Sequence, residues 1–463
     1  MSAMGEKAFD YRKGWQAEPE AGEHSLSAKA PYEDFGAEPL DPRRYYDPEF
    51  MRLEEQKLWP QVWLMAGFTC DIPRPGSYFK FDFGRESFIV LRQFSGEIKA
   101  FYNVCPHRAN ALVTADFGSV NKFACSFHGW QFGWDGSNQR VTDREMFRPE
   151  TLRGSIGLTA VRCEVACGMV FINMDGKAPP LKDFLGVMVD HLAMYKMEHM
   201  IVARDASTPW DANWKTVLDA FNEAYHAFFV HSMARKSFDD YHTQIDTYAN
   251  GMNRRIGMIG HPSPRLPDQG LNDDLKYLMV EAGLDPSKFD ATDGQVRKAI
   301  QQAKRRRAAQ RGLDWSSFTD GQLTDDWNYS FFPNFTLNIH VEGLLFQRFR
   351  PHPTDPEKCY YDNMVLVHPT DDASSIPAYM GVAPGTDVSG KTRAQRLYVP
   401  AGEKGMGPVV DEDGELVPVV QRGLRSRGFV GGLRLGEAER CIRQFHHELD
   451  RYIYEGNKPA GAL

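Results

Sequence analysis

The sequence contains no run of apolar residues that approaches the ~18 needed to cross a bilayer as a helix. Positive charge is not in surplus either. Lys and Arg number 54 against 62 Asp and Glu, a net charge of −8, so no electrostatic case exists for a nucleic-acid partner. Cysteine is scarce, with seven in 463 residues. The odd count, without the spacing of a disulfide framework, points to a reducing compartment. The stretch from Met1 to Leu40 carries charge but no apolar segment of the kind a secretory signal requires. No internal repeat is visible. These absences lead to the expectation of a cytoplasmic protein with no membrane or nucleic-acid partner, and the length allows two or three domains.

What is present is concentrated in four residues. Cys105, His107, Cys125 and His128 form C-x-H, 17 intervening residues, then C-x-x-H. Two thiolates and two imidazoles suit a Rieske [2Fe–2S] cluster, with the thiolates on one iron and the imidazoles on the other. They also suit a tetrahedral zinc site. Zinc fingers group like ligands in pairs, whereas here each loop carries one Cys and one His, as a centre of two irons requires if each loop is to reach both. The string H-G-W around His128, with Phe132, Trp134 and Asp135-Gly136 beyond it, resembles the Rieske family. Respiratory members of that family carry a further Cys in each loop, joined as a disulfide, and a membrane anchor. Here the loop neighbours are Pro106, Arg108, Ser126 and Phe127, and a stand-alone Rieske ferredoxin would need only a small part of this length.

A second metal candidate lies between Asn213 and His231. Apolar residues from Trp214 to Phe229 recur at helical spacing, and Glu223, His226 and His231 interrupt them. Read as one helix, offsets of three and five place Glu223 and His226 on one face with His231 just past a turn. Two His and one carboxylate make the facial triad that leaves open positions on Fe(II).

With both motifs in one chain, the sequence resembles the α subunit of the Rieske non-haem iron oxygenases, the aromatic-ring-hydroxylating oxygenases, over nearly its whole length. The signature N-W-K…Y-H-x-x-x-x-H implies that His226 and His231 bind a mononuclear iron. The resemblance also implies a third ligand, an Asp shortly before a Gln-x-Gly segment. The matching stretch is Val410 to Glu415 followed by Gln421-Arg422-Gly423; its spacing favours Asp413, with Glu412 as the alternative and a solvated acidic turn around Gly414 as the bland reading. The acid three before the first His, usually Asp, is Glu223. In the family it bridges electrons from a neighbouring subunit's cluster histidine. Asp219-Ala220 stands where Glu-Asn is commoner, and Asp219 could orient Glu223 or replace it as the acid. The implied cofactors are a [2Fe–2S] Rieske cluster, mononuclear Fe(II) and, through a ferredoxin or flavin reductase, NAD(P)H. The implied assembly is a head-to-tail homotrimer, with or without a small β subunit.

The expected fold is α+β: a small all-β Rieske domain over 62–178, and a larger catalytic domain over 1–61 and 179–463 with a helix-flanked antiparallel sheet. Short strands are read at Gly76–Phe79, Phe88–Leu91 and Ile98–Phe101, and longer runs at Leu337–Phe349 and Tyr360–Val367. Residues 265–325 read as an insertion over the active-site mouth or at a subunit edge. Within it, Lys304 to Arg307 with Arg311 reads as a solvated helix face or a docking patch for an acidic ferredoxin. Cys163 and Cys167 read as core. Candidate substrate contacts are Phe221, Phe228, Phe229, Met233, Phe331, Phe332, Phe335 and Phe346, with Asn338 and His340 as polar orienters. The expected activity is hydroxylation or oxidative demethylation of an organic, aromatic or apolar substrate. A quaternary-amine monooxygenase, an electron-transfer protein with an inactive second site and a zinc-stabilised binding module are the other readings.

Overall fold

Alternating aromatic and polar residues from Ser77 onward build a hairpin whose Gly84 takes a φ of +56° in a two-residue turn. A computed structural model of the chain describes residues 13–456 except 21, 23, 24, 268, 269, 290–292, 312, 371, 372, 374 and 375. The stretch from Met1 to Leu40 read above therefore lies partly outside the described residues.

The first unit is all-β. Strands β1 (Leu64–Phe68), β2 (Ser77–Phe83), β3 (Glu86–Arg92), β4 (Ile98–Tyr102) and β5 (Phe117–Ser119) join β9 (Ala160–Ala166) and β10 (Met169–Asn173). They form one antiparallel sheet in the order β1-β10-β9-β4-β3-β2-β5. The short strands β6 (Phe123–Ala124), β7 (Gln131–Phe132) and β8 (Asn138–Arg140) make a second, three-stranded sheet. One face of the larger sheet, including Ile89, Leu91 and Phe101, packs with Cys105, Cys125, Trp130 and Phe132 in a small core. Residues of the other face, such as Phe79, Phe81 and Phe88, belong to the core shared with the rest of the chain. Cys163 and Cys167 are half-buried against that shared core.

The second sheet has eight strands: β11 (Ile201–Trp210), β12 (Gln244–Thr247), β13 (Asn253–Gly257), β14 (Asp326–Phe331), β15 (Phe335–Ile339), β16 (Gly343–Pro351), β17 (Cys359–Val367) and β18 (Arg396–Tyr398). Their order is β12-β13-β14-β15-β16-β17-β11-β18. All pairs are antiparallel except β11 with β18, an edge pair that is parallel. The expected strand Leu337–Phe349 is two strands: Ile339 and Leu344 face each other across a turn at His340–Glu342. A mixed run of apolar residues hid the turn because both strands are buried.

Helices flank this sheet. The short α1 (Pro48–Leu53), α2 (Leu181–Leu185) and α3 (Met188–Ala193) come first along the chain, α2 packing on β9, and α4 (Trp214–Phe221) is capped by Asn213, whose side chain accepts from the Lys215 N–H at 2.9 Å. Then come α5 (Ala227–Val230), α6 (Asp273–Glu281), α7 (Asp293–Gln310), α8 (Asp320–Thr324), α9 (Pro408–Leu424) and α10 (Arg440–Asp450). The described N-terminal residues lie on this unit: Leu40 bridges Leu433, and Arg44 forms a bidentate ion pair with Asp450. Between the units, Arg348 donates to the Met65 and Ala66 carbonyls and pairs with Asp362. No described helix is long and apolar enough to cross a membrane.

Candidate metal centres and the cavity between them and solvent

The two Cys/His loops share one construction. In each, the Cys N–H bonds the carbonyl five residues on (Asn110 and Trp130), and the N–H four residues on bonds the Cys carbonyl (Ala109 and Gly129). The turn requires a left-handed residue at that fourth position, and Ala109 (φ +59°) and Gly129 (φ +72°) supply it. Both cysteines are buried, and the histidines stand nearer the surface with ring centroids 4.6 Å apart. His107 stacks on Trp130 at 4.9 Å and 4°. Burial pushes the Cys105 thiol up, and Cys125 beside it adds to that. Cys125 is held below the usual thiol range despite burial, because the N–H groups of Phe127 and His128 and the Asn110 amide (3.6 Å) favour its thiolate. Burial, with His128 and Arg108, keeps the His107 ring toward its neutral form. His128 Nδ1 is buried without a hydrogen-bond partner. Two thiols inward and two imidazoles outward, one ring nitrogen orphaned, suit two thiolate and two imidazole bonds to a cluster.

The second constellation is assembled from three places. The expected single helix from Asn213 to His231 breaks. α4 ends at Phe221, residues 222–226 are irregular, and α5 is one short turn. The break lets His226 Nε2 approach His231 Nε2 to 3.1 Å. Asp413 is not in a turn. It lies within α9, on the buried stripe Val410, Asp413, Val417, Gln421, Leu424 at helical spacing. Gly414 and Pro418 disguised this helix in the sequence. Gln421 locks α9 against α4, accepting from the Asn213 N–H (3.0 Å) and the Thr216 hydroxyl (2.7 Å).

Asp413 Oδ1 lies 3.6 Å from His226 Nε2 and 3.5 Å from His231 Nε2. With the 3.1 Å edge, these atoms form a triangle whose centre is about 2 Å from each corner, an ordinary metal–ligand bond length. Among the described residues, this is the group of three His, Cys, Asp or Glu whose ligand atoms all lie within 4.8 Å of one another. Burial pushes the Asp413 carboxyl up to about 7, with Glu223 and Glu412 adding to this and His226 opposing it. Its Oδ2 is buried without a partner. A cation at the triangle would relieve both conditions.

The outer nitrogen of each ring is held by a glutamate. Glu223 accepts from His226 Nδ1 and, through its other oxygen, from the His226 N–H at 3.1 Å. Glu412 takes His231 Nδ1 at 2.8 Å. Glu412, the alternative ligand in the sequence, is thus placed behind a ligand. Such partners fix the ring tautomer and orientation. Glu412→Ala is expected to weaken metal binding roughly 10–100-fold, measured by iron titration of the metal-free protein; unchanged affinity would leave Glu412 as surface charge.

The structure does not bring Asp219 to Glu223. Because the helix stops at Phe221, Asp219 instead accepts from the Tyr45 hydroxyl at 2.6 Å, which also meets His446 Nε2 at 2.7 Å. Among the described residues no hydrogen bond joins Asp219 to Glu223, so Asp219 does not orient it.

A cavity of about 450 Å³ opens from the triad. Its floor is the sheet, where period-two alternation turns Asp326, Asn328, Asn338, His340 and Gln347 toward it. The same alternation sends Phe331, Phe335 and Phe346 to the opposite face, into the core with Phe332, so these four do not line the cavity. Phe221 and Met233 line it; Phe228 and Phe229 do not. Arg255, Phe238, Leu345 and Tyr379 line it and escaped the sequence reading. The visible signal was polar residues at every second position of buried strands.

Residues 265–325 form a wall of this cavity through α6 and α7, apart from the few not described. The basic run is a solvated face only in part: Arg306 and Arg311 are exposed, while Lys304, Arg305 and Arg307 are half-buried. Lys304 pairs with Glu342 at 2.9 Å, Arg305 pairs with Asp320, and Lys304, Arg307 and Arg311 line the cavity. Val296, Ile300 and Ala303 of α7 pack on Leu275 and Met279 of α6, and Arg307 donates to the Glu281 carbonyl of α6 at 3.2 Å.

His340 meets the Tyr379 hydroxyl, and burial, with Lys304 adding, lowers its pKa to about 3. The folded value lies below the unfolded ~6.5, so stability is full above that pH. It falls as pH drops from ~6.5 toward 3, by up to about 1.4 kcal/mol per pH unit. Urea midpoints at pH 7.5 and 5 should show this loss in the wild type and a smaller one in His340→Gln. An equal loss in both would reject the assignment.

The fold and these two constellations define a two-unit protein equipped to hold metal at two separate places. The family described as Rieske [2Fe-2S] domain matches residues 62–149, and that described as Ring hydroxylating alpha subunit (catalytic domain) matches 197–455. The chain belongs to the ring-hydroxylating alpha-subunit family, whose cofactors are a Rieske [2Fe–2S] cluster and a non-haem iron. It is 34% identical over 212 residues to the glycine betaine monooxygenase oxygenase subunit of Chromohalobacter salexigens, covering 46% of this chain and 47% of that one. It is also 34% identical over 197 residues to the naphthalene 1,2-dioxygenase large oxygenase component of Pseudomonas putida, covering 41% and 44%. The chain spans about half the length of the curated relatives it matches. A solved quaternary ammonium Rieske monooxygenase shares the fold, with a TM-score of 0.64 at 19% identity over 90% of this chain and 95% of that one.

Proposed function

We propose that this protein is the terminal oxygenase of a multicomponent Rieske system, taking electrons from NAD(P)H through a reductase or ferredoxin. Cys105, His107, Cys125 and His128 are the cluster ligands in this reading, and His226, His231 and Asp413 the ligands of the iron. When bound, the cluster supplies one-electron storage and the iron supplies O2 binding and activation. The observation that carries the reading is the His226–His231–Asp413 triangle of about 2 Å radius, open to a cavity of substrate size. The chain's own residues bind and orient: Glu223 and Glu412 fix the two rings, and the sheet floor and α6–α7 wall enclose the substrate and exclude water. Glu223, usually Asp in the family, is also proposed to face the cluster histidine of a neighbouring subunit in a homotrimer. Domain limits of 62–178 for the cluster unit, and 1–61 with 179–463 for the catalytic unit, go with this reading. Seven unpaired cysteines support a cytoplasmic setting.

The substrate is a small organic molecule that is hydroxylated or oxidatively demethylated. Phe221, Phe238, Trp315 and Tyr379 suit an apolar or aromatic body, while Asp326, Asn328 and Asn338 in the floor favour a polar substituent over a bare hydrocarbon. A quaternary amine is the second reading, supported by Glu223 and the likeness to a glycine betaine monooxygenase subunit. The test supplies reductase, NADH and labelled O2 with aromatic, steroid-like and quaternary-amine compounds. Label in a product is the expected result. None from any class despite three irons per chain would reject the reading; two irons per chain would favour electron transfer alone, and zinc without iron would reject both.

A further inference from the structure

Arg254 and Arg255 are neighbours on β13 with opposite fates. Arg254 faces the core and is fully engaged, with Asp246 at 2.9 and 2.6 Å and the Ala28 carbonyl at 3.0 Å. Arg255 faces the cavity. It is only 7% exposed, yet among the described residues its side chain makes no hydrogen bond, ion pair or ring contact, and its Nη1 is sealed from solvent. A buried guanidinium left without a counter-ion is expensive, and buried charges are ordinarily paired.

The surroundings do not hold that partner. Asp326 lies near enough to feel Arg255, but both its oxygens accept from Asn338, at 2.8 and 3.0 Å, and it forms no ion pair with Arg255. Asp240, beside Arg255 in a smaller adjoining cavity, is taken by Ser263 and by Arg265 at 2.8 Å. Farther out, Lys304 is matched by Glu342, and Arg307 and Arg311 stand with Asp274 and Glu281. Across the ladder from Arg255 sits Asn328, whose Oδ1 is also buried and unpartnered. Arg255 is close enough to His226 to oppose its protonation.

We propose that Arg255 anchors a carboxylate of the substrate, so the cavity takes an anionic or zwitterionic organic acid whose reacting carbon faces the His226–His231–Asp413 triad. A guanidinium presents two parallel donors to a carboxylate, and the Asn328 amide, in the orientation that turns its NH2 inward, adds a third. This rests on the cavity being the substrate site, and it narrows the substrate class there.

The experiment measures binding to the full-length, iron-loaded protein by calorimetry, using carboxylates and their uncharged amides: benzoate and benzamide, indole-3-carboxylate and its amide, trimethylammonioacetate and its amide. In at least one pair the carboxylate should bind at least about tenfold more tightly. Arg255→Gln should abolish that preference while cluster absorption and iron content stay unchanged, and Arg255→Lys should restore part of it. No preference in any pair of the wild type, or a preference that survives in Arg255→Gln, overturns the proposal. The wild-type comparison stands even where a variant fails to fold. Carboxylate preference without oxygen insertion would keep the anchor and sink the oxygenase reading. Insertion into neutral compounds without preference would do the reverse.

Discussion

Asp413→Ala is expected to reduce the iron content from about three per chain to two and to abolish product formation, while the cluster keeps its absorption and still reduces. The reason is geometric. Asp413 Oδ1 supplies one corner of the triangle and, among the described residues, is the carboxylate oxygen within 4 Å of both Nε2 atoms. Without it, two neutral imidazoles remain, with no charge to offset that of a divalent cation. The loss should exceed the roughly 10–100-fold typical of removing a residue behind a ligand. A second readout separates binding from folding. Burial disfavours the Asp413 carboxylate in the absence of metal, so the metal-free variant should melt no earlier than the metal-free wild type. An earlier melt would mean that Asp413 holds α9 in place. Retained turnover with three irons would transfer the ligand role to Glu412, at the expense of its 2.8 Å bond to His231.

Much of this site was legible because the chemistry is written in local spacing. C-x-H and C-x-x-H each sit in a single turn, so their spacing in sequence is their geometry. His226 and His231 were legible as a pair for the same reason, although the helix proposed to carry them is broken. Asp413 was reachable only through resemblance, since nothing local says that a helix containing Gly414 and Pro418 will pack a buried acid against α4. The strands of the first unit were visible in their alternation. The hairpin at His340–Glu342 was not, because burial on both faces erases the polar positions that mark a strand's end. Arg255 was hidden for a different reason. In N-R-R-I-G its role depends on which of two adjacent arginines finds Asp246, and that is decided by strands far away in sequence. The basic run of α7 misled only in part: Arg306 is exposed as expected, but Lys304 and Arg307 are half-buried against partners that lie far away in sequence.

Glu223→Gln is the more demanding test, because it should leave every metal ligand in place. Both carboxylate oxygens of Glu223 accept from His226, one from the ring Nδ1 and one from the backbone N–H. An amide of the same length can accept only one of these bonds and turns its NH2 on the other donor, leaving a buried group unsatisfied at about 1–3 kcal/mol. The expected result is three irons per chain or a modest loss, normal reduction of the cluster, and product formation lowered by at least about 100-fold, since the ring tilts and the proposed link to a neighbouring cluster loses its charge. Glu223→Asp should recover part of the activity, as a carboxylate one methylene shorter can still take both donors. The control is Asp219→Asn. Its carboxylate serves Tyr45, so that change should lower the melting temperature and leave product formation per folded chain nearly intact. If Glu223→Gln turned over normally while Asp219→Asn did not, the link between centres would run through Tyr45, Asp219 and His446. The break at Phe221 would then serve to keep Glu223 out of that path.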